Sequence, residues 1–215
     1  MKSIIYSTLI LTLFFITACD EQPIDISQMA PPTNRTILIE EFTGANCAAC
    51  PGGAEAIKTF QNEFPGQVVA VSIHTTKSGP LGTPLPGSSY DLRTQDGDDL
   101  FDLFGGLSGI PASVFNRTQF PGEPRMGIGV ADTWGTFVLA ELNVDPIVEV
   151  STTLSYDASS RELTIDIEAF PLVDQAGDFR VGVMISENLI VDKQNNAGVI
   201  EDEYENNHIL RDFIS

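Results

Sequence analysis

Two β-branched apolar runs, residues 36–42 and 67–73, flank a stretch in which Ala54, Ile57, Phe60 and Phe64 recur at helical spacing until Pro65-Gly66 stops it. Strand, helix and strand in that order constrain the fold more than any other feature: the two strands run parallel, and the helix is their right-handed crossover. Cys47-Ala48-Ala49-Cys50 falls at the junction, after the first strand and at the opening of the helix. Two intervening residues let the sulfurs meet across one helical turn, and the unpaired N–H groups and dipole of a helix start stabilise Cys47 as a thiolate. Cys47 is therefore the expected nucleophile and Cys50 the resolving cysteine. Pro51 costs the helix little, because an amide hydrogen in the first turn has no intrahelical acceptor.

Charge removes whole classes of function. Thirty Asp and Glu stand against eleven Lys and Arg, a formal charge of -19. Counterion-release binding to nucleic acid is excluded on that balance, and anionic membrane surfaces are disfavoured. Three cysteines cannot build a multi-bridge secreted scaffold. One of them belongs to an address: Met1-Lys2-Ser3 is a basic start, residues 4–18 are apolar but too short to span a bilayer, and Ile16-Thr17-Ala18-Cys19 resembles the lipobox of bacterial lipoproteins. Residues 1–18 are then a signal peptide, Cys19 is the lipid anchor, and residues 19–34, with Pro23, Pro31 and Pro32, form a tether. Several acyl chains are needed to hold so acidic a chain.

Residues 35–142 read as an α/β domain. A loop over 78–89 is too rich in Gly and Pro for regular structure. A helix over 91–104 buries Leu92, Leu100, Leu103 and Phe104 and ends at Gly105-Gly106, a strand covers 112–116, and a helix over 133–142 follows an Asp132 cap. From residue 143 the pattern changes to runs at 148–156, 163–170, 179–185 and 208–214 with no helical segment, which predicts an all-β, sandwich-like domain over 143–215. Four short strands are few for a sandwich, so this domain reads as truncated. A calcium loop over 192–203 is rejected because Ala197 stands at the obligatory glycine.

Gly109-Ile110-Pro111-Ala112 precedes the short strand at 112–116. With the CxxC it resembles the thioredoxin fold, which implies a cis bond before Pro111, with Pro111 beside the disulfide and the Ile110 backbone pairing with an incoming peptide. The same resemblance makes Glu41, six residues before Cys47, the buried acid able to deprotonate Cys50. A closer likeness runs through Leu38-Ile39-Glu40-Glu41-Phe42-Thr43-Gly44-Ala45-Asn46-Cys47-Ala48-Ala49-Cys50-Pro51, Asp91-Leu92-Arg93-Thr94, Asn116-Arg117 and Asn207-His208-Ile209-Leu210-Arg211. These segments resemble the Omp28-related outer-membrane lipoproteins. The resemblance implies a thioredoxin-like domain followed by a β-rich domain, lipid-anchored on the bacterial outer membrane at the cell surface or the periplasmic face. Asn46, Ala48-Ala49 and Pro51 depart from the thioredoxin pattern.

The expected activity is thiol–disulfide exchange, with Cys47, Cys50, Glu41 and Pro111 as the catalytic set and Ile110, Pro111 and His74 facing the substrate. No organic cofactor and no metal is called for. The expected partners are proteins with cysteines or disulfides, and the bilayer through lipidated Cys19. Two alternatives stay open: a static disulfide formed in an oxidising compartment, and a cell-surface binding or adhesion lipoprotein that uses the fold as a scaffold. A zinc site would need two more ligands, for which His74 and an acid are the candidates, and a lone cysteine pair is half a motif.

Overall fold

The computed structural model describes residues 34–174, Gly177 and 180–214. The expected signal peptide, Cys19 and all of the tether but Asn34 lie outside the described residues, as does Phe179. The element order is β1 (Ile37–Thr43), α1 (Cys50–Glu63), β2 (Val68–His74), α2 (Gln95–Leu103), β3 (Ala112–Phe115), α3 (Trp134–Leu142), β4 (Val148–Asp157), β5 (Glu162–Pro171), β6 (Val183–Glu187), β7 (Ile190–Asn196), β8 (Val199–Asn206) and β9 (Ile209–Ile214). The main sheet has the order β3-β1-β2-β9-β6, and β4-β5 and β7-β8 form two further two-stranded sheets. β1 and β2 are parallel, from Ile37 opposite Val68 to Thr43 opposite His74, while β3 runs antiparallel to β1.

Strand alternation sorts the two faces. Ile37 and Ile39 of β1 and Val68 and Ala70 of β2 pack with Ile57 and Phe60 of α1, with its C-cap Phe64, and with Trp134, Val138 and Leu142 of α3. Phe42, Val71, Ile73 and Val114 face the other way, against Leu100 of α2, Phe104 and Leu210. Continuing the first face toward the strand ends replaces apolar side chains with Glu41, Thr43, Ser72 and His74. The polar end of that face therefore lies under the start of α1, where the parallel strands of an α/β sheet deliver their carboxyl ends. On the opposite face Glu40 is fully buried and held in two contacts by Arg117, at 3.0 and 2.7 Å. The guanidinium also lies over the rings of Phe104 and Phe213, which satisfies the buried charge.

Several expected elements differ. β6 and β9, assigned from sequence to a sandwich, are strands of the main sheet: Leu210 joins the core around Phe42, and Ile209 packs with Leu92 and Ile190. β9 occupies the β2 edge that the βαβ unit leaves open. β4 and β5 pair over ten residues each, but β4 is exposed along its whole length, so among the described residues they face no second sheet. The helix expected from residue 91 starts at Gln95, because Arg93 bridges to His74 and Thr94 caps the helix by accepting from the Gly97 amide. Leu103, expected in the core, is 61% exposed. Residues 78–89 are not all irregular, since a 3-10 segment spans Thr76–Gly82 with a kink at Gly79. Asp132 is not a cap: it lies in a 3-10 turn, and α3 begins at Trp134 without a side-chain cap.

Candidate active site

Cys47 and Cys50 form a disulfide, with their Cα atoms 5.4 Å apart. The helix starts at Cys50, with Ala49 as its N-cap and Pro51 in its first turn, so Cys47 precedes the helix instead of opening it. It sits in a pair of turns, its amide donating to the Gly44 carbonyl at 3.1 Å and its carbonyl accepting from the Cys50 amide at 3.2 Å. Cys47 Sγ is 3.6 Å from the Ile110 carbonyl oxygen. A disulfide sulfur has no proton to donate, so this is a contact in the oxidised state and an available acceptor once Cys47 is a thiol. The Ile110–Pro111 peptide bond is cis.

Pro111 and Glu41 reach the same turn of α1. A methyl group built on Gly53 would come 2.5 Å from Glu41 Oε1, 3.0 Å from the Trp134 ring and 3.3 Å from Pro111 Cβ. Gly53, one turn past the disulfide, is what lets the carboxyl approach. Glu41 is 1% exposed; its Oε2 accepts from Ser72 Oγ at 3.1 Å, while Oε1 has no partner among the described residues. Burial raises its pKa to about 7, against the smaller opposing effect of the Ser72 hydroxyl. A carboxyl tuned this way exchanges protons near neutral pH, as a general base must.

His74 ends β2 on the same face and is 2% exposed, with Nε2 unpartnered among the described residues. Burial lowers its pKa to about 4, Asp91 opposes this, and Arg211 and Arg93 add to it, so the ring is neutral at pH 7. Glu41, Ser72, His74 and Cys50 line one cavity of about 560 Å³, together with Gln194, Tyr204 and Asn206 of the β7-β8 hairpin. Burial also raises the Tyr204 hydroxyl to about 12, with Glu41 contributing. No cluster of three or more metal-ligating side chains occurs among the described residues, so the cysteine pair finds no zinc set there.

The Cys47 loop, residues 44–49, is clamped from two sides. The Thr76–Gly82 segment takes the Asn46 amide at the Leu81 carbonyl, 3.0 Å, and the Asn46 side-chain amide at the Pro80 carbonyl, 3.2 Å. On the other side the Gln194 side-chain amide donates to the carbonyls of Gly44 and Cys47, each at 3.2 Å. Both sulfurs are buried, Cys47 at 2% exposure and Cys50 at 1%. The structure thus gathers Cys47, Cys50, Glu41, Ile110, Pro111 and His74 in one region. It adds Ser72, Gly53, Gln194 and Tyr204. Ser72 was readable as the residue two before His74 on the polar strand face, whereas nothing local marks Gln194, which is brought in from nearly 150 positions away.

Fold and site define a mixed α/β protein with additional small β-sheets and a CxxC disulfide beside a helix start. Among solved structures it is similar to HBP35 of Porphyromonas gingivalis, with a TM-score of 0.60 and 20% identity over 84% of this chain and 57% of that one. A protein of Agrobacterium tumefaciens from a structural genomics programme matches with a TM-score of 0.48 and 18% identity, over 84% of this chain and 72% of its own. The likeness to HBP35 is one of fold, and this chain spans 57% of HBP35's length. No protein-family profile and no curated protein matches the sequence.

Proposed function

We propose that this chain is a thioredoxin-like, lipid-anchored protein of the Omp28-related kind whose Cys47–Cys50 pair carries out thiol–disulfide exchange. In the reducing direction the Cys47 thiolate attacks a partner disulfide, a mixed disulfide forms, and one partner thiolate leaves. The Cys50 thiolate then attacks Cys47 Sγ, releasing the second partner thiol, so that two electrons pass from the pair to the partner. Glu41 takes the Cys50 proton, and the Ile110 backbone with Pro111 holds the partner chain. The observation that carries this reading is the convergence of Glu41 and Pro111 on Gly53, one turn beyond the disulfide. A static structural bridge has no use for a buried carboxyl whose pKa is near 7. The N-terminal lipobox supports attachment to the bacterial outer membrane through Cys19, with the surface or periplasmic face as its setting.

A second reading is a surface binding or adhesion lipoprotein in which the disulfide is a brace. Burial of both sulfurs and the exposed apolar face of β4-β5 favour it. A Cys50→Ser chain expressed in a bacterial envelope separates the two. Exchange chemistry accumulates partners joined to Cys47 by disulfides that a reductant dissolves; a brace accumulates none, and the native pair then reduces no model protein disulfide.

A further inference from the structure

β7 and β8 continue the strands β6 and β9 outward, with only Asn188-Leu189 on one side and Asn207-His208 on the other between the paired segments. Both strands bend there through a left-handed residue, Leu189 at φ 61 and His208 at φ 59. Side chains with a Cβ adopt that conformation only when their surroundings hold them in it. Crossed bonds do so: the His208 amide donates to Asn188 Oδ1 at 2.7 Å and the Leu189 amide to Asn207 Oδ1 at 3.0 Å. The bend turns the hairpin out of the sheet and lays it along the Cys47 loop.

The hairpin is attached in two parts. Its root is fixed by Ile190, packed with Leu92 and Ile209, and by Asp192, which accepts from the amides of Ser89 and Tyr90 at 3.0 and 2.8 Å. A register shift between Asp192 and Gln194 separates this root from the distal part, residues 193–201. The distal part rests on the loop by backbone bonds, Asn195 N–H to the Ala45 carbonyl at 2.8 Å and Ala197 N–H to the Ala48 carbonyl at 2.9 Å. Gln194 adds its side-chain bonds to Gly44 and Cys47. These are carbonyls in the turns of the Cys47 loop, satisfied by two alternate N–H groups, Asn195 at the end of β7 and Ala197 in the turn after it; backbone N–H groups two residues apart are what an added peptide strand also presents.

We propose that residues 193–201 are a displaceable cover on these loop carbonyls, and that the occupant they stand in for is an extended, cysteine-bearing polypeptide. Such a segment donates its own backbone N–H groups to Ala45 and Ala48, lifts the distal hairpin from the bulge outward, and brings its sulfur to Cys47. This inference rests on the redox reading of Cys47, but it is tested without any physiological partner.

Two measurements on this protein decide it. Dithiothreitol reduces the Cys47–Cys50 bond by attack of one thiolate and closure into its cyclic disulfide, leaving two protein thiols that alkylation counts. Gln194→Ala removes the cover's side-chain hold, and the reduction rate is expected to rise about 3- to 10-fold, the range for losing a hydrogen bond to a partly buried group. An unchanged rate overturns the proposal. If that variant does not fold, the second measurement stands alone: amide exchange in a Cys50→Ser chain before and after the Cys47 thiolate displaces thionitrobenzoate from an extended peptide carrying its cysteine as the mixed thionitrobenzoate disulfide, which leaves the peptide bonded to Cys47. The amides of Asn195 and Ala197 are expected to lose protection by about tenfold or more while Val71 and Ile73 keep theirs. Retained protection at Asn195 and Ala197, or an equal loss in β2, overturns it. A Gln194→Ala chain that reduces quickly yet turns over no protein disulfide defeats the exchange function and leaves the cover intact.

Discussion

The chain carries two long antiparallel hairpins whose sequences and situations are reversed. β4-β5 alternates as a half-buried ribbon should: Val148, Val150, Leu154 and Tyr156 share a face with Leu163, Ile165 and Ile167 through cross-strand pairs. Yet β4 is exposed from end to end. β7-β8 has the sequences Ile-Val-Asp-Lys-Gln-Asn-Asn and Val-Ile-Glu-Asp-Glu-Tyr-Glu-Asn, with no apolar alternation, and buries Ile190, Asp192, Gln194 and Asn206. An apolar pattern states what an element can bury, while attachment depends on which polar groups find partners. The polar hairpin is the one fastened to the Cys47 loop, by its backbone and by amide side chains that no hydrophobic pattern records.

The comparison predicts where stability resides. The largest effect lies beneath the polar hairpin, where Glu41 and His74 titrate in opposition. The folded state holds a proton on Glu41 that the unfolded chain releases above about pH 4.5, so its contribution is full below that pH and is lost as pH rises to about 7. The unfolded chain takes up a proton on His74 below about pH 6.5 that the folded state refuses, so its contribution is full above that pH and is lost as pH falls to about 4. Each amounts to ~3 kcal/mol, and in the native chain the two slopes nearly cancel. Glu41→Gln should therefore lose ~3 kcal/mol between pH 6.5 and 4, and His74→Gln should lose ~3 kcal/mol between pH 4.5 and 7. Urea midpoints at four pH values check both signs, and two variants that follow the native profile would break the account of the cavity.

Next in size is a matched truncation in the two hairpins. Ile190→Ala, at the root of β7-β8, should cost about 2–3 kcal/mol. Leu154→Ala in β4 should stay within about 0.5 kcal/mol, because that side chain is 65% exposed. Equal losses by urea denaturation would mean that the ribbon is covered in solution. The smallest effect should erase the difference. Ala197 in the β7-β8 turn and Arg161 in the β4-β5 turn have φ of 52 and 58, and replacing either with Gly should stabilise by about 0.5–1 kcal/mol alike. A gain at one turn alone would show that the hairpin tips differ in more than local backbone strain.

These contrasts also mark what the sequence discloses. β1 and β2 lie within one residue of the runs read from β-branched composition, and the end of α1 falls just ahead of Pro65-Gly66, because local preference and burial agree there. Cys47 and Cys50 were expected from motif and spacing, and Glu41, Ile110 and Pro111 from the resemblance to the thioredoxin fold. The hairpin that covers them was not, since Gln194 and Asn195 act through single hydrogen bonds across the fold and leave no periodic trace. β9 was read as a strand but placed in the wrong sheet. Its apolar residues Ile209 and Leu210 fit any half-buried strand, and only the free edge of β2 selects its neighbour.

The central claim is that the Cys47–Cys50 bond belongs to a working redox pair. Its reduction potential, measured by equilibration with glutathione and quantified by thiol alkylation, tests that most directly. The account predicts a value between about -270 and -120 mV, the span of thiol–disulfide catalysts. A value below about -300 mV, where structural disulfides of exported proteins lie, would contradict it.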